Sequence, residues 1–239
     1  MPRRWNNGIV IGIEDMSSTT KRFFVECEEV IPFKAGQFVI MDLPVSEKRL
    51  NRWKSYSIAN PPTNSNVFEF AIVNLEGGLA SDYLFNTIKV GDSLKFKDPD
   101  GGFVLPEKID HDVIMLCTGT GVAPFKSMLY DVFENEKSDR KFHLIFGTRY
   151  EEGILYRDEF EALEKKWPNF KYTIALSREK NWDGHKGYIH PIYSKLYKNT
   201  TIDRHFYICG WTQMVDEAVA NLVTKMAYPL KQIHYELYG

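Results

Sequence analysis

The segment DVIMLCTGTGVAPF, residues 112–125, constrains the fold of this chain more than any other stretch. It begins with a continuous apolar run, which is typical of a strand buried on both faces of a parallel sheet. Gly119 and Gly121 follow at once, and Pro124 suits the first turn of a helix because no amide donor is lost there. The free amides at such a helix start favour an anion such as a pyrophosphate, although a plain tight turn has the same pattern.

Strand and helix patterns alternate after this segment. Strands are predicted at KFHLIFG, KYTIALS, HFYICG and QIHYEL, and helices over residues 158–166 and 212–225. This alternation predicts a doubly wound α/β domain with a parallel sheet. Ligands of such sheets bind at the carboxyl ends of the strands, so the residues that follow each strand are candidates for a site.

Residues 1–106 instead form short strand patterns separated by turn residues. The runs RFFVECEEV, GQFVIMDLP, KSYSIAN, VFEFAIVN and DSLKFKDP are rich in Val, Ile and Phe. They predict an antiparallel β-barrel or sandwich, interrupted by one helix at about residues 81–88. The polar stretch LPEKIDHD, residues 105–112, is the expected boundary, which gives two domains of residues 1–106 and 107–239.

The composition argues against several functional classes. A formal net charge of −2 disfavours a general nucleic-acid-binding protein. Cys27, Cys117 and Cys209 are far apart, so they predict neither a disulfide framework nor a four-cysteine cluster, and we expect no metal site. No apolar run has the length of a signal-peptide core or the ~20 residues of a membrane span. We therefore expect a cytoplasmic protein that is not embedded in a membrane. The sequence leaves the oligomeric state open, with a monomer favoured.

Two further strand ends carry residues that suit a nucleotide. KYTIALS ends at Ser177, which Arg178 follows, and Lys186 and Tyr188 come soon after; together they could hold a phosphate and stack on a base. HFYICG contains Cys209, whose small polarisable thiol can lie against a flat ring. The alternatives are a solvated polar loop and an ordinary buried cysteine.

The first domain contains a second glycine-rich helix start, EGGLASDYL, at residues 76–84. Gly77 and Gly78 precede a predicted helix that includes Ser81, so the same physics predicts a second cradle for an anion. A loop with a helix cap at Ser81 is the alternative, because serine hydroxyls commonly accept bonds from the first amides of a helix.

These motifs resemble those of the ferredoxin–NADP reductase family of flavoproteins, and they follow the order of that family along nearly the whole chain. KSYS at residues 54–57 resembles the flavin motif Arg-x-Tyr-Ser. EGGLASDYL resembles the second flavin-phosphate motif, and CTGTGVAPF resembles the loop that binds the dinucleotide pyrophosphate. The site for the adenosine 2′-phosphate resembles SRE…HKGY. The strand end on the nicotinamide side resembles YICG, and the plant-type C-terminal ending resembles ELYG. The resemblance implies an antiparallel flavin-binding barrel followed by a nucleotide-binding α/β domain.

The resemblance also implies an activity and its cofactors. The expected reaction is hydride transfer between NADPH and bound FAD, with electrons passing to or from a ferredoxin or flavodoxin. Tyr56 would pack on the flavin ring, Ser57 would hydrogen-bond near its hydride-accepting nitrogen, and Tyr238 would cover the opposite face. Cys209 and Glu236 would line the nicotinamide pocket, so Ser57, Cys209 and Glu236 are the implied catalytic residues.

The implied cofactor-binding residues fall into a flavin set and a nucleotide set. The flavin set is Arg52, Lys54, Tyr56, Ser57, Ile58, Ile72, Val73, Asn74, Gly77, Gly78, Leu79, Ala80 and Ser81. The nucleotide set is Thr118, Gly119, Thr120, Gly121, Pro124, Ser177, Arg178, Lys186, Tyr188, Cys209, Gly210, Glu236 and Tyr238. Lys54 stands where the family has arginine, so Arg52 would share the grip on the flavin phosphate. Gly239 follows the terminal tyrosine and could change how that ring gives way to nicotinamide.

The coenzyme and the electron acceptor leave alternatives open. The SRE…HKGY residues favour NADPH over NADH. Lys48, Arg49, Arg52 and Lys54 form a basic run that would steer an acidic ferredoxin or flavodoxin, with a solvated loop as the alternative. The competing functions are an NAD(P)H-dependent flavin reductase or oxygenase-component reductase without an iron–sulfur domain, a subunit of a larger complex, and a non-enzymatic binding module.

Overall fold

The protein folds into two units in a computed structural model that describes residues 4–135, 137–198 and 202–238. The first unit comprises the residues up to Leu105 together with Ala123–Glu134. The second comprises Pro106–Val122 and the residues from Asn135 onward. The predicted boundary after residue 106 treats the domains as two continuous segments, whereas contacts group residues 123–134 with the first unit.

Six antiparallel strands form the sheet of the first unit, in the order β4-β3-β6-β1-β2-β5. They are β1 (Trp5–Ser17), β2 (Thr20–Cys27), β3 (Phe38–Asp42), β4 (Trp53–Ser57), β5 (Val67–Val73) and β6 (Ser93–Lys97), with helices α1 (Arg49–Arg52) and α2 (Leu79–Asn86) between them. Just past β4, the Ala59 amide donates to the Glu69 carbonyl oxygen on β5 at 2.8 Å. This bond links the two ends of the strand order, and the predicted antiparallel barrel is confirmed.

The core of the first unit follows from strand alternation, because successive side chains of a strand leave opposite faces. Val10, Val25, Val39, Phe70 and Phe96 come from five different strands and are all fully buried in one apolar cluster. Their burial removes apolar surface from water, which is the main favourable contribution to the stability of this unit.

Strand β1 is absent from the sequence prediction because polar and small residues occupy its inward positions. The buried positions run from Asn6 to Gly8 to Val10, while the outward Ile9 and Ile11 are 44% and 45% exposed. A Cβ atom on Gly8 would lie 2.5 Å from a methyl group of β2, so glycine is needed for close packing. Large apolar residues outside and polar or small residues inside hide the alternation that normally identifies a strand.

Six parallel strands form the sheet of the second unit, in the order β10-β9-β8-β7-β11-β12. They are β7 (Asp112–Thr118), β8 (Phe142–Thr148), β9 (Phe170–Leu176), β10 (His185–Lys186), β11 (Arg204–Trp211) and β12 (Ile233–Tyr238). The remaining helices are α3 (Ala123–Glu134), α4 (Arg157–Lys166), α5 (His190–Leu196) and α6 (Thr212–Ala220), and a π-type turn at Asn221–Lys225 extends α6. This is the predicted doubly wound α/β fold, although α5 was not predicted.

The topology of this sheet locates its switch point. From β7 the chain moves to β8 and β9 on one side of the sheet, and it later returns to β11 and β12 on the other side. The reversal of strand order lies between β7 and β11, and ligands of doubly wound sheets bind at the carboxyl ends of such a strand pair. Within the described ranges, no helix is both long and apolar enough to span a membrane.

Helix α3 packs in the first unit through a buried ion pair. The Lys126 ammonium lies 2.8 Å from Oε2 of Glu69, with both side chains 5% exposed, and Arg22 Nε lies 2.9 Å from Oε1 of the same carboxylate. The Ser127 hydroxyl donates to the Asn60 carbonyl oxygen at 2.7 Å. Burial alone would raise the pKa of Glu69, but Lys126 and Arg22 outweigh it and lower the pKa, so this carboxylate is ionised.

We predict that Lys126→Ala lowers the free energy of unfolding by about 3 kcal/mol, because the variant leaves a buried carboxylate with one cation fewer. The matched control is Arg157→Ala, which removes exposed ion pairs with Glu161 and Glu151; the side chains of the three residues are 38%, 39% and 52% exposed. That variant should lose less than about 1 kcal/mol. Urea denaturation of both variants measures the difference, and equal losses would contradict the structural role of the buried pair.

Candidate functional site

The turn that follows β7 passes directly against the end of β11. A Cβ atom on Gly121 would lie 2.4 Å from the Cys209 carbonyl oxygen, and one on Gly210 would lie 2.6 Å from Thr118 Oγ1. Gly210 also has a φ of +146°, which residues with side chains rarely adopt. Glycine is therefore required at both positions for the two central strands to meet at their carboxyl ends.

Gly119 has a different role from Gly121. Its φ is +54°, and a Cβ atom there would meet no atom within 4 Å. The backbone at this position borders open space, so a ligand can approach it closely. Residues 119–122 form a 3₁₀ turn that leads into α3, and Pro124 lies in the first turn of that helix.

Thr118 contributes an unsatisfied polar atom to the same strand end. Its Oγ1 is buried and has no hydrogen-bond partner. A buried hydroxyl without a partner costs about 1–3 kcal/mol, and such a group in a native fold calls for an explanation such as a ligand. Together with the half-exposed Thr120 and the open backbone at Gly119, this hydroxyl fits a phosphate oxygen.

A row of side chains crosses three neighbouring strands beside this turn. Cys117 on β7, Cys209 on β11 and Glu236 on β12 are in register. Burial raises the pKa of both thiols well above the ordinary cysteine value, so both are neutral. The Cys209 thiol is fully buried and hydrogen-bonds to Tyr238, so its contact with a planar ring stays a prediction. Gly239 lies outside the described residues, and its effect on the terminal tyrosine also stays a prediction.

Glu236 is the group in this row that titrates near neutral pH. Burial raises its pKa to about 7, and its Oε2 atom is buried without a hydrogen-bond partner. A carboxyl group with a pKa near the working pH can change its charge within the physiological range. The unsatisfied oxygen provides an acceptor, or a donor when protonated, for a ligand at this strand end.

The loop after β9 carries the residues predicted to hold a phosphate. The Ser177 amide donates to the Thr148 carbonyl oxygen at 3.0 Å, and the Arg178 amide donates to the Arg149 carbonyl oxygen at 2.9 Å. These bonds join the backbones of two exposed arginines, Arg149 and Arg178. Arg149 was not predicted from the sequence, although it follows the end of β8 much as Arg178 follows the end of β9.

Lys186 is the last residue of β10, which pairs in parallel with β9, and Tyr188 follows it at the same carboxyl end of the sheet. The Lys186 ammonium donates to the Lys180 carbonyl oxygen at 2.9 Å, which leaves two of its three protons for other partners. Tyr188 is 74% exposed, so its ring is accessible for stacking. Between them, Gly187 makes the turn with a φ of +106°.

In the first unit, β4 directs Lys54 and Tyr56 to one face and Ser57 to the other. Lys54 is opposite Met41 on β3 and Tyr56 is opposite Val39, so both share the inward face of β3. Tyr56 packs partly against the barrel core, and burial raises the pKa of its phenol, which is therefore neutral. Ser57 is only 6% exposed. The segment thus provides a charge and a flat ring on one face and a buried hydroxyl on the other.

Arg52 is less available to a flavin phosphate than its place beside Lys54 in the sequence predicts. Its Nε atom lies 2.8 Å from Asp42 Oδ1, so part of the guanidinium is committed to an ion pair. The Lys54 ammonium donates to the Leu50 carbonyl oxygen at 3.2 Å, a bond that is exposed to solvent. Lys54 is therefore the freer of the two cations, because a neutral carbonyl at the surface holds an ammonium less strongly than a carboxylate does.

The glycine-rich helix start of the first unit is partly occupied by its own bonds. Helix α2 begins at Leu79, earlier than predicted. The Ser81 hydroxyl accepts from the Leu75 amide at 3.0 Å and lies 2.9 Å from the Gly78 carbonyl oxygen, while the Gly78 amide donates to Leu75. Gly77 has a φ of +72° and borders open space. Ser81 and Gly78 therefore stabilise the turn, and the uncapped amides from Leu79 onward are those that suit an anion.

The other flavin-set residues surround these two segments. Ile58 and Ile72 are fully buried in the barrel core, whereas Val73 is half-buried and Asn74 is exposed at the end of β5. Ala80, in the first turn of α2, belongs to the same core. Within the parts of the chain that the structure describes, no group of His, Cys, Asp and Glu residues could hold a metal ion.

Comparisons with known proteins match both units. The oxidoreductase FAD-binding domain model matches residues 7–105, and the oxidoreductase NAD-binding domain model matches residues 115–220. Ferredoxin–NADP reductase B of Sorangium cellulosum is 34% identical over 214 residues, which are 86% of this chain and 85% of that protein. The chain belongs to the ferredoxin reductase-like family of FAD- and NAD-binding oxidoreductases.

Two further relatives of this ferredoxin reductase-like chain differ in their length. The crystal structure of a ferredoxin NADP⁺ reductase from Neisseria gonorrhoeae with bound FAD and NADP has a TM-score of 0.83 and 25% identity, and 98% of each chain is covered. The reductase component DmpP of a Pseudomonas phenol 2-monooxygenase is 29% identical over 219 residues. These are 90% of this chain, which spans only 61% of the length of that component.

The family assignment confirms the predicted fold, the predicted resemblance and the oxidoreductase class. It gives the chain an FAD-binding domain that contains β4 and α2, and an NAD-binding domain that contains the turn after β7. The unsatisfied Thr118 hydroxyl and the open backbone at Gly119 lie inside the NAD-binding domain. The individual roles of the site residues remain predictions.

We predict that Glu236→Gln makes the protein more stable than the wild type at alkaline pH. The folded-state pKa of about 7 lies above the ordinary glutamate value, so the unfolded chain releases this proton first as pH rises. The contribution of Glu236 to stability is therefore full in acid and is lost between about pH 4.5 and pH 7. Thermal unfolding measured at several pH values should show that the stability of the variant increases relative to that of the wild type as the pH rises across this window. For an exposed control, Glu152→Gln, the pH dependence of stability should parallel that of the wild type. The same parallel dependence for Glu236→Gln would contradict a buried carboxyl group at position 236.

Proposed function

We propose that this oxidoreductase takes electrons from NADPH through bound FAD and delivers them to a protein electron carrier. The observation that carries the proposal is the strand end at the switch point, where a buried hydroxyl without a partner adjoins an accessible glycine backbone. Both features suit a dinucleotide pyrophosphate, which offers anionic oxygens to backbone amides and hydroxyls.

On the flavin side, the proposed residues act by binding and orientation. A bound flavin accepts a hydride from a nicotinamide and releases electrons singly, which is chemistry that protein side chains do not supply. The neutral phenol of Tyr56 would provide a flat face for the ring, and the Ser57 hydroxyl would provide a hydrogen bond to it. Lys54 would neutralise a phosphate as a point charge. The uncapped start of α2 would receive the pyrophosphate of FAD, which favours FAD over FMN.

On the coenzyme side, NADPH is proposed over NADH because of neighbouring cations. Arg149 and Arg178 are exposed and their backbones are hydrogen-bonded, and guanidinium groups suit the dianionic 2′-phosphate that only NADPH carries. Lys186 adds a third cation, and the exposed Tyr188 ring offers a surface for the adenine. The Thr118 hydroxyl would donate to the pyrophosphate.

Glu236 is proposed to tune the nicotinamide side of the site. Below about pH 7 its carboxyl group is protonated and neutral, so it can donate a hydrogen bond without adding negative charge. The neutral Cys209 thiol beside it would keep the local environment apolar. Both groups therefore act through the environment of the ligand, and neither is proposed as a nucleophile.

The proposed acceptor is a ferredoxin or a flavodoxin, and an oxygenase component is the second candidate. The first is supported by the similarity to the Sorangium ferredoxin–NADP reductase along most of both chains. The second is supported by the similarity to the reductase component of phenol 2-monooxygenase, although this chain spans only 61% of that protein. Free flavin is a third acceptor that the same assay distinguishes.

We predict that the purified protein is yellow with bound FAD and that anaerobic NADPH bleaches its visible absorbance. Stopped-flow spectroscopy measures the rate, and the reduced protein is then mixed with ferredoxin, flavodoxin or free FAD to compare acceptors. NADH should bleach the protein with lower efficiency. A protein that binds no flavin, or whose bound flavin neither coenzyme reduces, would contradict the proposal.

A variant in the same assay tests the assignment of the coenzyme. Arg178→Ala should reduce the efficiency of NADPH by about tenfold or more while changing that of NADH little, because the lost charge faces only the 2′-phosphate. Lys166→Ala, at the exposed end of α4, is the matched cation control and should change neither. Equal losses with both coenzymes, or a wild-type preference for NADH, would refute the phosphate role.

A further inference from the structure

The buried ion cluster that contains Lys126 of α3 has no part in the proposed electron transfer. Lys126 is only 4% exposed, and its ammonium donates to Oε2 of Glu69 at 2.8 Å. Arg22 donates to the same oxygen at 2.9 Å, so two cations share one buried carboxylate. Apolar side chains of similar volume can often replace such buried charges without loss of stability. Charged hydrogen bonds add a defined direction, so the cluster fixes where Glu69 and its neighbours lie.

The backbone of Glu69 holds the segment that follows β4, residues 58–60. The Ala59 amide donates to the Glu69 carbonyl oxygen at 2.8 Å, and the Glu69 amide donates to the Asn60 side-chain oxygen at 2.8 Å. The Asn60 side-chain amide donates in turn to the Val67 carbonyl oxygen at 3.1 Å. The carboxylate of the ion cluster and the backbone anchor of this segment therefore belong to one residue of β5.

Helix α3 also bonds to this segment directly. The Ser127 hydroxyl, which is fully buried, donates to the Asn60 carbonyl oxygen at 2.7 Å. Ser127 follows Lys126 in the helix, and consecutive side chains leave a helix about 100° apart around its axis. Two bonds in these directions resist both a shift and a rotation of the helix, so residues 58–60 have a defined support on α3.

The supported segment is continuous with the residues proposed to face the flavin. Ser57 is the last residue of β4, where it pairs with Phe38 of β3, and the Ile58 amide donates to the Gln37 carbonyl oxygen at 3.0 Å. Beyond this point the backbone is held by the bonds to β5 and α3. A shift of residues 58–60 would therefore move the Ser57 hydroxyl, and a misplacement of about 1 Å can slow a positioned reaction by about 100-fold.

We propose that Lys126 and Ser127 are positioning residues for the flavin. Through Glu69 and Asn60 they fix the end of the flavin segment, and with it the Ser57 hydroxyl that would bond to the flavin ring. This inference rests on the proposed function, because it takes Ser57 to face the ring. Neither Lys126 nor Ser127 is assigned a contact with a cofactor, so their effect passes through the backbone that follows β4.

A purely structural role for these two residues would have a different signature. Loss of a structural bond lowers the free energy of unfolding and leaves the native arrangement of the flavin site unchanged. Loss of a positioning bond changes the environment of the bound flavin and the rate of its reduction. The affinity for NADPH is then kept, because neither bond involves the dinucleotide turn. A comparison of flavin environment, reduction rate and stability therefore separates the two roles.

The test uses the FAD-loaded protein and three variants. Ser127→Ala removes the bond to the Asn60 carbonyl oxygen and leaves the ion cluster intact. Lys126→Met removes the charge at a similar side-chain length. The control is Val10→Ala, which removes buried methyl groups from the barrel core on β1 and so lowers stability without removing a hydrogen bond.

Three measurements are made on the wild type and on each variant. Circular dichroism in the visible range reports the surroundings of the bound flavin ring. Anaerobic stopped-flow reduction over a series of NADPH concentrations gives the limiting rate and the apparent Kd, and thermal unfolding gives the stability. The rates are compared at a temperature below all of the unfolding transitions.

We expect Ser127→Ala and Lys126→Met to change the visible circular dichroism of the bound flavin. Both should lower the limiting rate of flavin reduction by about tenfold or more, with the apparent Kd for NADPH within about twofold of the wild type. Val10→Ala should unfold at a lower temperature than the wild type while it keeps the wild-type dichroism and rate.

Wild-type dichroism and rate in Ser127→Ala would overturn the positioning role, even where Lys126→Met is too unstable to measure. An equal loss of rate in Val10→Ala would also overturn it, because the losses would then follow from stability alone. A wild type that binds FAD but is not reduced by NADPH would contradict the proposed function, and the dichroism would still decide whether these residues position the flavin. A wild type that binds no flavin would contradict both.

Discussion

The close contact between the ends of β7 and β11 is the constraint on which the candidate nucleotide site depends. The turn after β7 reaches the Cys209 carbonyl so closely that only glycine fits at position 121, and Gly210 makes the same approach to Thr118 from the other side. With both strand ends held together, Gly119 is left facing open space and the Thr118 hydroxyl is left buried without a partner. The glycines that hold the backbone together are thus distinct from the glycine that leaves room for a ligand.

Each unit contains a glutamate whose pKa is shifted, and the two shifts have opposite directions. Glu69 is surrounded by Lys126 and Arg22, which lower its pKa against the effect of burial, so it is a charged structural group. Glu236 is half-buried, its Oε2 atom is buried without a hydrogen-bond partner, and its pKa rises to about 7. The difference follows from the neighbours and not from the depth of burial, and it separates a group that stabilises the fold from one that can respond to a ligand.

The elements that could be predicted from the sequence are those whose signal is local. The continuous apolar run of β7 and the glycines after it identify the parallel sheet and its central turn, and the resemblance supplies the order of the two domains. Strand β1 could not be recognised because Asn6 and Gly8 occupy inward positions. The contacts among Trp5, Trp53 and Lys97 were also beyond reach, since these side chains come from strands that are far apart in the chain. Arg149, by contrast, has a local signal of the same kind as Arg178, because it directly follows the end of a parallel strand.

The central claim is that a nicotinamide dinucleotide binds where β7 and β11 end, and amide hydrogen exchange tests it most directly. Exchange of the holoprotein is followed by mass spectrometry with and without saturating NADP⁺. The account predicts slower exchange over residues 116–122 and 208–211 at the carboxyl ends of these strands, with little change over residues 110–113 and 203–206 at their amino ends. Protection at the amino ends, or protection that leaves the turn after β7 unchanged, would contradict it.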